Sequence, residues 1–419
     1  MPQAESRYLT SAEAAKTLGI TRATLYAYTS RGQLSSEPVP GQPRERRYLR
    51  EDIDRLREGK ETRRDPAKAA AKGLHWGSPV LESGITLIEN GKLYYRGHDA
   101  LRLAREKTLE QAAGLLWEAQ PGEQALLFEQ PAVLSRRNLT RLRSFSKDGP
   151  LPLLQTALPL AGALDLAACD LRPEGVRLTG GRLLKMLASV AANSPSDQPI
   201  HQMLQALWAP KDPAAAEAIR MALVLCGDHE LNASAFVARC AASTGASPYD
   251  VVSAALATLK GHRHGGATDR LAALFADAGR PERARVAIAG RLRRGENLPG
   301  FGHPLYPAGD PRAALLLEIA EAAGNRDDWR LAKALAKAGS GLLQAHPNLD
   351  FGLVAMARSY RLPDHAPLLL FALGRTAGWI AHAMEEYASG QLIRPRARYT
   401  GPPAMPSPAG HNPTRTGGP

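Results

Sequence analysis

The stretch Ser247–Gly261, SPYDVVSAALATLKG, decides the fold class. Ser247 is a natural N-cap, Pro248 suits the first helical position, and Asp250 puts negative charge in the first turn. Val252, Ala255, Leu256 and Leu259 then share one face, and Gly261 predicts the C-terminal stop. Just upstream, Phe236, Val237, Cys240 and Ala241 repeat that spacing up to Gly245, which predicts a second helix with the same buried face. Outward from this pair the helical pattern continues. Ala and Leu dominate, aromatics are 5%, and alternating β-branched runs are scarce. The one strand-like stretch of the body is Ile85–Tyr95, ITLIENGKLYY, with Asn90-Gly91 as a hairpin turn. The class is all-α.

The chain has 419 residues, room for more than one domain, and 44% of them are apolar. No apolar run approaches the ~18 residues a membrane span needs. Glu5, Arg7, Glu13, Lys16 and Arg22 exclude a secretory apolar segment at the start, so a cytoplasmic protein is expected. Cys169, Cys226 and Cys240 are too few and too dispersed for a disulfide framework or a Cys-rich metal site. They read as buried, reduced thiols. The net charge of +12, with +5 of it before residue 73, suits an anionic partner such as nucleic acid or a phosphorylated co-substrate. Residues 57–72 read as a charged linker, and 401–419, with six prolines and four glycines, as a disordered tail.

Residues 1–72 form a separate module. Thr10-Ser11-Ala12-Glu13 is a capping box that opens a helix with Ala14, Ala15 and Leu18 inward. Gly19 ends it, and Thr21 caps a second helix through about Ser30 that carries Arg22, Tyr26 and, just past its end, Arg31. Residues 34–50 then predict a basic wing with Arg44, Arg46 and Arg47, and Ile53 and Leu56 close a small core. With Tyr8-Leu9-Thr10, Leu18-Gly19-Ile20-Thr21, Thr24-Leu25-Tyr26, Arg47-Tyr48 and Asp52, the segment resembles the DNA-binding head of MerR-type regulators and phage excisionases. That resemblance implies a winged helix-turn-helix with Arg22, Tyr26, Arg31, Arg46 and Arg47 toward DNA.

Four histidines resist a packing explanation. They lie in Asp228-His229-Glu230-Leu231-Asn232, in Gly261-His262-Arg263-His264-Gly265-Gly266, in Gly300-Phe301-Gly302-His303-Pro304 and in Gly378-Trp379-Ile380-Ala381-His382. Glycines beside a histidine let backbone approach a ligand closely. With Gly309-Asp310-Pro311-Arg312, Asn348-Leu349-Asp350-Phe351, Gly374-Arg375-Thr376-Ala377 and Arg394-Pro395-Arg396, these motifs stand in the order of the citrate synthases, which the chain resembles from about residue 77 to 401. Tyr95-Arg96-Gly97 fits as well.

The resemblance implies a two-domain helical fold. A large domain would hold 73–264 and 362–400, and a small domain 265–361. It also implies an enzyme of the tricarboxylic acid cycle that joins acetyl-CoA, or a longer acyl-CoA giving 2-methylcitrate, to oxaloacetate. Such chemistry needs a carboxylate to take a weakly acidic proton and a donor to hold the enolate-like oxygen. By resemblance Asp350 is the base, His264 the donor, kept neutral by its place before a helix, and His303 the acid at the ketone. His229, Arg312, Arg375 and Arg394 would bind the dicarboxylate, Arg394 across the interface of a homodimer. Gly300, Phe301 and Gly302 would face CoA. No metal and no tightly bound cofactor are implied. Three departures bear on CoA handling and substrate choice: Pro307 replaces a basic residue, Gly352-Leu353 follows the base motif, and Gly149-Pro150-Leu151…Leu154-Gln155 replaces a His-Pro-Met…Leu-Arg stretch. The rival reading is a DNA-binding regulator whose synthase-like body senses oxaloacetate or acyl-CoA. Intact His264, His303 and Asp350 favour the enzyme, since a sensor needs no base.

Overall fold

Thr10 Oγ1 accepts the Glu13 N–H while the Glu13 carboxylate accepts the Thr10 N–H, so both halves of the capping box form. The helix Ser11–Leu18 ends on Gly19 in the left-handed region, and Thr21 caps the helix Arg22–Ser30 through the Thr24 N–H. Strands Tyr8–Thr10, Ser36–Val39 and Gln42–Leu49 form an antiparallel sheet with the last strand in the middle. Leu9, Ala14, Ala15, Leu18, Leu25, Leu34, Tyr48 and Ile53 make a core of their own, with Leu56 packed on it. This is a winged helix-turn-helix unit.

The structure, a computed structural model, describes residues 8–30, 34, 36–39, 42–49, 52–53, 56, 81–129, 133–144, 150–192, 194, 197–397 and 399–403. The chain divides into two units, 1–82 and 83–419. The expected linker at 57–72, Arg31, Gly149 and most of the tail lie outside the described residues.

The body is helical. The one sheet described in it is the hairpin Thr86–Glu89/Lys92–Tyr95, turned by Asn90 and Gly91 at positive φ and extended by His98–Asp99. The deciding helix spans Pro248–Leu259; Ser247 caps it, and Val252, Ala255, Leu256 and Leu259 are all buried. Gly261 is not its left-handed stop, since Lys260 closes the helix in ordinary αR geometry. In the preceding helix, Ala233–Ala242, the buried face is Ser234, Ala235, Ala238, Arg239 and Ala242. Phe236, Val237, Cys240 and Ala241 are only half-buried, contrary to the expectation from spacing. Two polar residues turn the helix. Ser234 bonds Trp379 and His264, and Arg239 pairs with Glu385 and Glu386, so apolar spacing alone misassigns the face. Cys169 is exposed rather than buried, because it closes a short surface 3-10 turn.

Helices Pro173–Ala191, Ala214–Leu225, Ala233–Ala242 and Pro248–Leu259 all pack on Ala366–Ser389. A second group, Ala267–Ala278, Pro311–Ala322 and Arg326–Leu343, packs on Leu349–Ser359. The body is thus built as two groups of helices, each packed on its own central helix. Among the described residues no helix is long and apolar enough to cross a membrane. Ala366–Ser389 is buried around most of its circumference, as a central helix must be. It reaches that position through two glycines. A Cβ on Gly374 would lie 2.4 Å from Leu223 O, and one on Gly378 2.4 Å from Asp228 Oδ1.

Gly374→Ala is therefore expected to cost about 1–3 kcal/mol, because the obstructing atoms are backbone. Gly341→Ala, in the helix Arg326–Leu343 with nothing within 4 Å of the new methyl, should instead stabilise by about 0.5–1 kcal/mol. Urea unfolding midpoints of the two variants against the parent check both signs.

Candidate active site

The turn that carries His229 is tied from several sides. Cys226 ends the helix Ala214–Leu225, and Asn232 caps the next helix by accepting the Ser234 and Ala235 N–H groups. The Tyr95 hydroxyl, fully buried, accepts the Asp228 N–H and lies 3.2 Å from the carbonyl oxygens of Val224, Leu225 and Asp228. Asp228 Oδ2 accepts from Thr86 at 2.6 Å, and Asp228 Oδ1 lies 3.3 Å from His382 Nε2, both residues fully buried. These bonds hold the turn against Ala366–Ser389, where the Gly378 N–H reaches Gly227 O. His229 is thereby buried, with Nε2 3.0 Å from the Tyr306 hydroxyl. Burial, helped by the charge of Arg312, holds its pKa well below the usual histidine range.

His303 comes from a loop that needs positive φ at Gly300, Gly302 and Gly309. Gly302 N–H bonds His346 O at 2.7 Å and Asn348 N–H bonds Gly300 O at 2.9 Å, stitching this loop to the start of the Leu349–Ser359 helix. The Phe301 ring packs on Phe351 and over Gly339, so only the backbone of Gly300-Phe301-Gly302 is left to meet a ligand. His303 Nδ1 accepts the Leu305 N–H, which leaves the proton of the neutral ring on Nε2. Its ring lies 4.9 Å from that of His229 and 5.1 Å from Tyr306. Burial and Arg312 lower its pKa to about 4.

Arg312 and Arg375 are nearly inaccessible, at 2% and 1% exposure. Asp310 clamps Arg312 through two bonds of 3.0 and 2.8 Å, and its Oδ2 also accepts the Leu349 N–H. Arg375 donates Nε–H to Cys226 O and stands over Phe371. Burial lowers its pKa, partly offset by Asp228. The two buried guanidiniums feel each other's charge, and only Arg312 has a carboxylate clamp; a buried arginine of this kind is suited to an anion.

Asp350 completes this side. Asn348 caps its helix by accepting the Asp350 N–H. Asp350 Oδ1 is buried and has no hydrogen-bond partner. Burial pushes its pKa up to about 7, against the opposing pull of Arg312 and Arg375. His264 packs on Phe371, ring edge to face at 5.7 Å, with Nε2 2.8 Å from Ser234 Oγ. Its pKa is lowered to about 4 first by burial and then by Arg375. As expected, a helix, Ala267–Ala278, follows His264 directly, beginning three residues later. Arg394 is exposed beyond Gly390 and enters none of these bonds. Sequence reasoning gave no role to Tyr306, Ser234, Trp379, Phe371 or the Asp310 clamp. Tyr306, three residues after His303, was the legible one.

Residues 73–396 match the family described as citrate synthase, C-terminal domain, and 8–61 a helix-turn-helix domain. The chain belongs to the citrate synthase family. It is 30% identical to citrate synthase 2 of Bacillus subtilis, over 80% of this chain and 96% of that protein. With citrate synthase of Mycolicibacterium smegmatis it shares 31% over 75% and 90% of the two chains. The solved ternary complex of Thermoplasma acidophilum citrate synthase with carboxymethyl coenzyme A and oxaloacetate aligns at TM-score 0.69 and 25% identity, covering 80% and 97%. The protein is a citrate synthase-type enzyme with a helix-turn-helix unit at its N-terminus.

A carboxyl with a raised native pKa binds its proton more tightly folded than unfolded. Its contribution to stability is full below pH ~4 and is lost as pH rises through about 7. Asp350→Asn should therefore melt above the parent at pH 8, by a margin that shrinks at pH 5. Calorimetry at the two pH values measures it.

Proposed function

We propose that this site condenses acetyl-CoA with oxaloacetate, giving citrate and CoA after hydrolysis of the citryl thioester. One observation carries the reading. A buried carboxyl with an unpartnered oxygen and a pKa raised to about 7 is grouped with two histidines held neutral and two buried arginines. Arg312, Arg375 and His229 take the oxaloacetate carboxylates. Asp350 removes a proton from the acetyl methyl while His264 donates a hydrogen bond to the thioester oxygen. The carbon nucleophile attacks the ketone, and His303 Nε2–H supplies the proton to the new alkoxide. Ser234 positions the His264 ring: its Oγ lies 2.8 Å from His264 Nε2, accepts the Trp379 Nε1–H and donates to Asn232 Oδ1 at 2.7 Å. Arg394, exposed in the single chain, is read as reaching the site of a second copy in a homodimer. The backbone of Gly300-Phe301-Gly302 is read as a CoA contact, although exposed Pro307 offers no charge to the nucleotide end.

The decisive measurement is CoA release from acetyl-CoA and from propionyl-CoA, with and without oxaloacetate. Release should require oxaloacetate and be faster with the acetyl thioester; faster propionyl turnover would make the enzyme a 2-methylcitrate synthase. Asp350→Asn should lower kcat by ~10²–10⁴-fold while oxaloacetate affinity holds within a few fold. Near-normal turnover would show that another group is the base.

A second reading concerns the N-terminal unit, where Arg22 and Tyr26 lie exposed on the second helix and Arg46 on the wing. We propose that it binds duplex DNA through these residues. Arg47 is a weaker choice, since it pairs with Glu37 at 3.1 Å and lies over the Tyr8 ring. Anisotropy titrations with duplex fragments across a salt series test this. Each lost phosphate contact, as in Arg22→Ala or Arg46→Ala, should reduce the salt slope by about one. No affinity at low salt would leave the enzyme reading standing alone.

A further inference from the structure

Of the four histidine motifs, the condensation scheme leaves one without a task, that of His382. The residue is fully buried, and neither ring nitrogen has a hydrogen-bond partner. Its Nε2 lies 3.3 Å from Asp228 Oδ1, which has no hydrogen-bond partner either. Buried polar groups are nearly always paired, so two such atoms facing each other mark one contact, with the ring proton on Nε2. Nδ1 is then left as an unpaired acceptor, which buried structure tolerates better than an unpaired N–H.

That contact is the last of three in a row. Arg375 donates Nε–H to Cys226 O, Gly378 donates N–H to Gly227 O at 3.1 Å, and His382 meets the Asp228 side chain. Positions 375, 378 and 382 stand at i, i+3 and i+7 on one stripe of the helix Ala366–Ser389. Three consecutive residues of the turn are therefore fastened along one helix face. The hairpin holds Asp228 as well. Thr86 and Tyr95 are partners across its two strands. Thr86 donates to Asp228 Oδ2 at 2.6 Å, while the Tyr95 hydroxyl takes the Asp228 N–H. One cross-strand pair thus grips both the side chain and the backbone of residue 228. The turn needs such fastening, since Glu230 holds a left-handed backbone, φ 51, that its surroundings must impose. Cys226 anchors Arg375 and Asp228 precedes His229, so a shift of this turn moves two of the groups assigned to the oxaloacetate carboxylates. Arg312 and Asp350 are fixed separately, by the Asp310 clamp.

We infer that His382 and Thr86 are positioning residues for oxaloacetate: each holds one oxygen of Asp228, and through that carboxylate they fix His229 and Arg375 for the substrate. Neither touches the substrate itself. Their effect falls on oxaloacetate affinity rather than on the proton transfers, because the base and the acid lie on segments that this turn does not carry. The inference rests on the reading of His229, Arg312 and Arg375 as the seat of the dicarboxylate.

The test uses the full chain. Titration calorimetry without any acyl-CoA gives the oxaloacetate Kd, and initial rates of CoA release give kcat and both KM values. His382→Leu and Thr86→Val should each weaken oxaloacetate about tenfold, in Kd and KM alike, with kcat at saturation within about threefold of the parent. The KM for acetyl-CoA should hold within about twofold, since the turn carries none of the groups assigned to it. His382→Gln puts an amide N–H where the ring Nε2–H stands and should recover most of the lost affinity. Thr86→Ser, which keeps the hydroxyl, should do the same. A merely structural role would lower the thermal midpoint without this split between oxaloacetate affinity and kcat. Unchanged oxaloacetate affinity in Thr86→Val and in a folded His382→Leu overturns the inference, as does His382→Gln binding no better than His382→Leu. Should His382→Leu not fold, Thr86→Val and Thr86→Ser decide alone. A parent that binds oxaloacetate but releases no CoA sinks the condensation reading and leaves the affinity comparison in force. A parent that binds no oxaloacetate overturns both.

Discussion

The Asp310 carboxylate holds the helices Pro311–Ala322 and Leu349–Ser359 in register. One oxygen meets the Arg312 Nε–H and backbone N–H, and the other meets an Arg312 NH₂ group and the Leu349 N–H. A single buried side chain thus fixes the first turns of two helices, one bearing Arg312 and the other Asp350. A buried ion pair is seldom a net source of stability, because desolvation offsets most of its Coulomb gain. Here its effect is geometric. Without Asp310, two first turns would lose a shared acceptor, and the Arg312 guanidinium would lose its compensating carboxylate.

That arrangement also sets the protonation states. Arg312 and Arg375 act on every titratable group around them, disfavouring charge on histidines and favouring it on carboxylates. Burial works in the same sense for His229, His264 and His303 and in the opposite sense for Asp350. The histidines stay neutral far below neutrality, while the carboxyl is left near pH 7, where a base has both a useful ionised fraction and real basicity. One buried, positively charged pocket therefore keeps the histidines neutral and leaves a carboxyl that titrates near pH 7.

The N-terminal unit follows other rules. Its core is built from eight buried apolar residues within positions 9–53. The capping box, the glycine stop and the three-stranded wing are local devices, so a short segment can specify them without long-range partners. Its exposed arginines cost nothing to maintain on a surface, and the wing's Glu37–Arg47 pair shows that part of its basic charge is answered internally.

How much of this was legible follows from range. The helix Pro248–Leu259, the Asn90-Gly91 hairpin and the caps at Thr10 and Ser247 rest on neighbours within a few residues, and the chain alone determined them. The all-α class and the order of the histidine and arginine motifs were legible for the same reason, since each motif is contiguous. The rotation of Ala233–Ala242 was not. Its inward Arg239 and Ser234 find their partners more than a hundred residues away, at Glu385, Glu386 and Trp379. Tyr306 became part of the site only when its hydroxyl met His229, and Gly374 and Gly378 showed their purpose only where one helix crosses the Gly227 turn. The low pKa of His264 likewise rests on enclosure and Arg375, which only the tertiary structure supplies. Local sequence determined which elements form and which groups are available. Tertiary structure decided which faces are buried and how each group is charged, because desolvation and long-range Coulomb terms exist only once distant segments exclude water together.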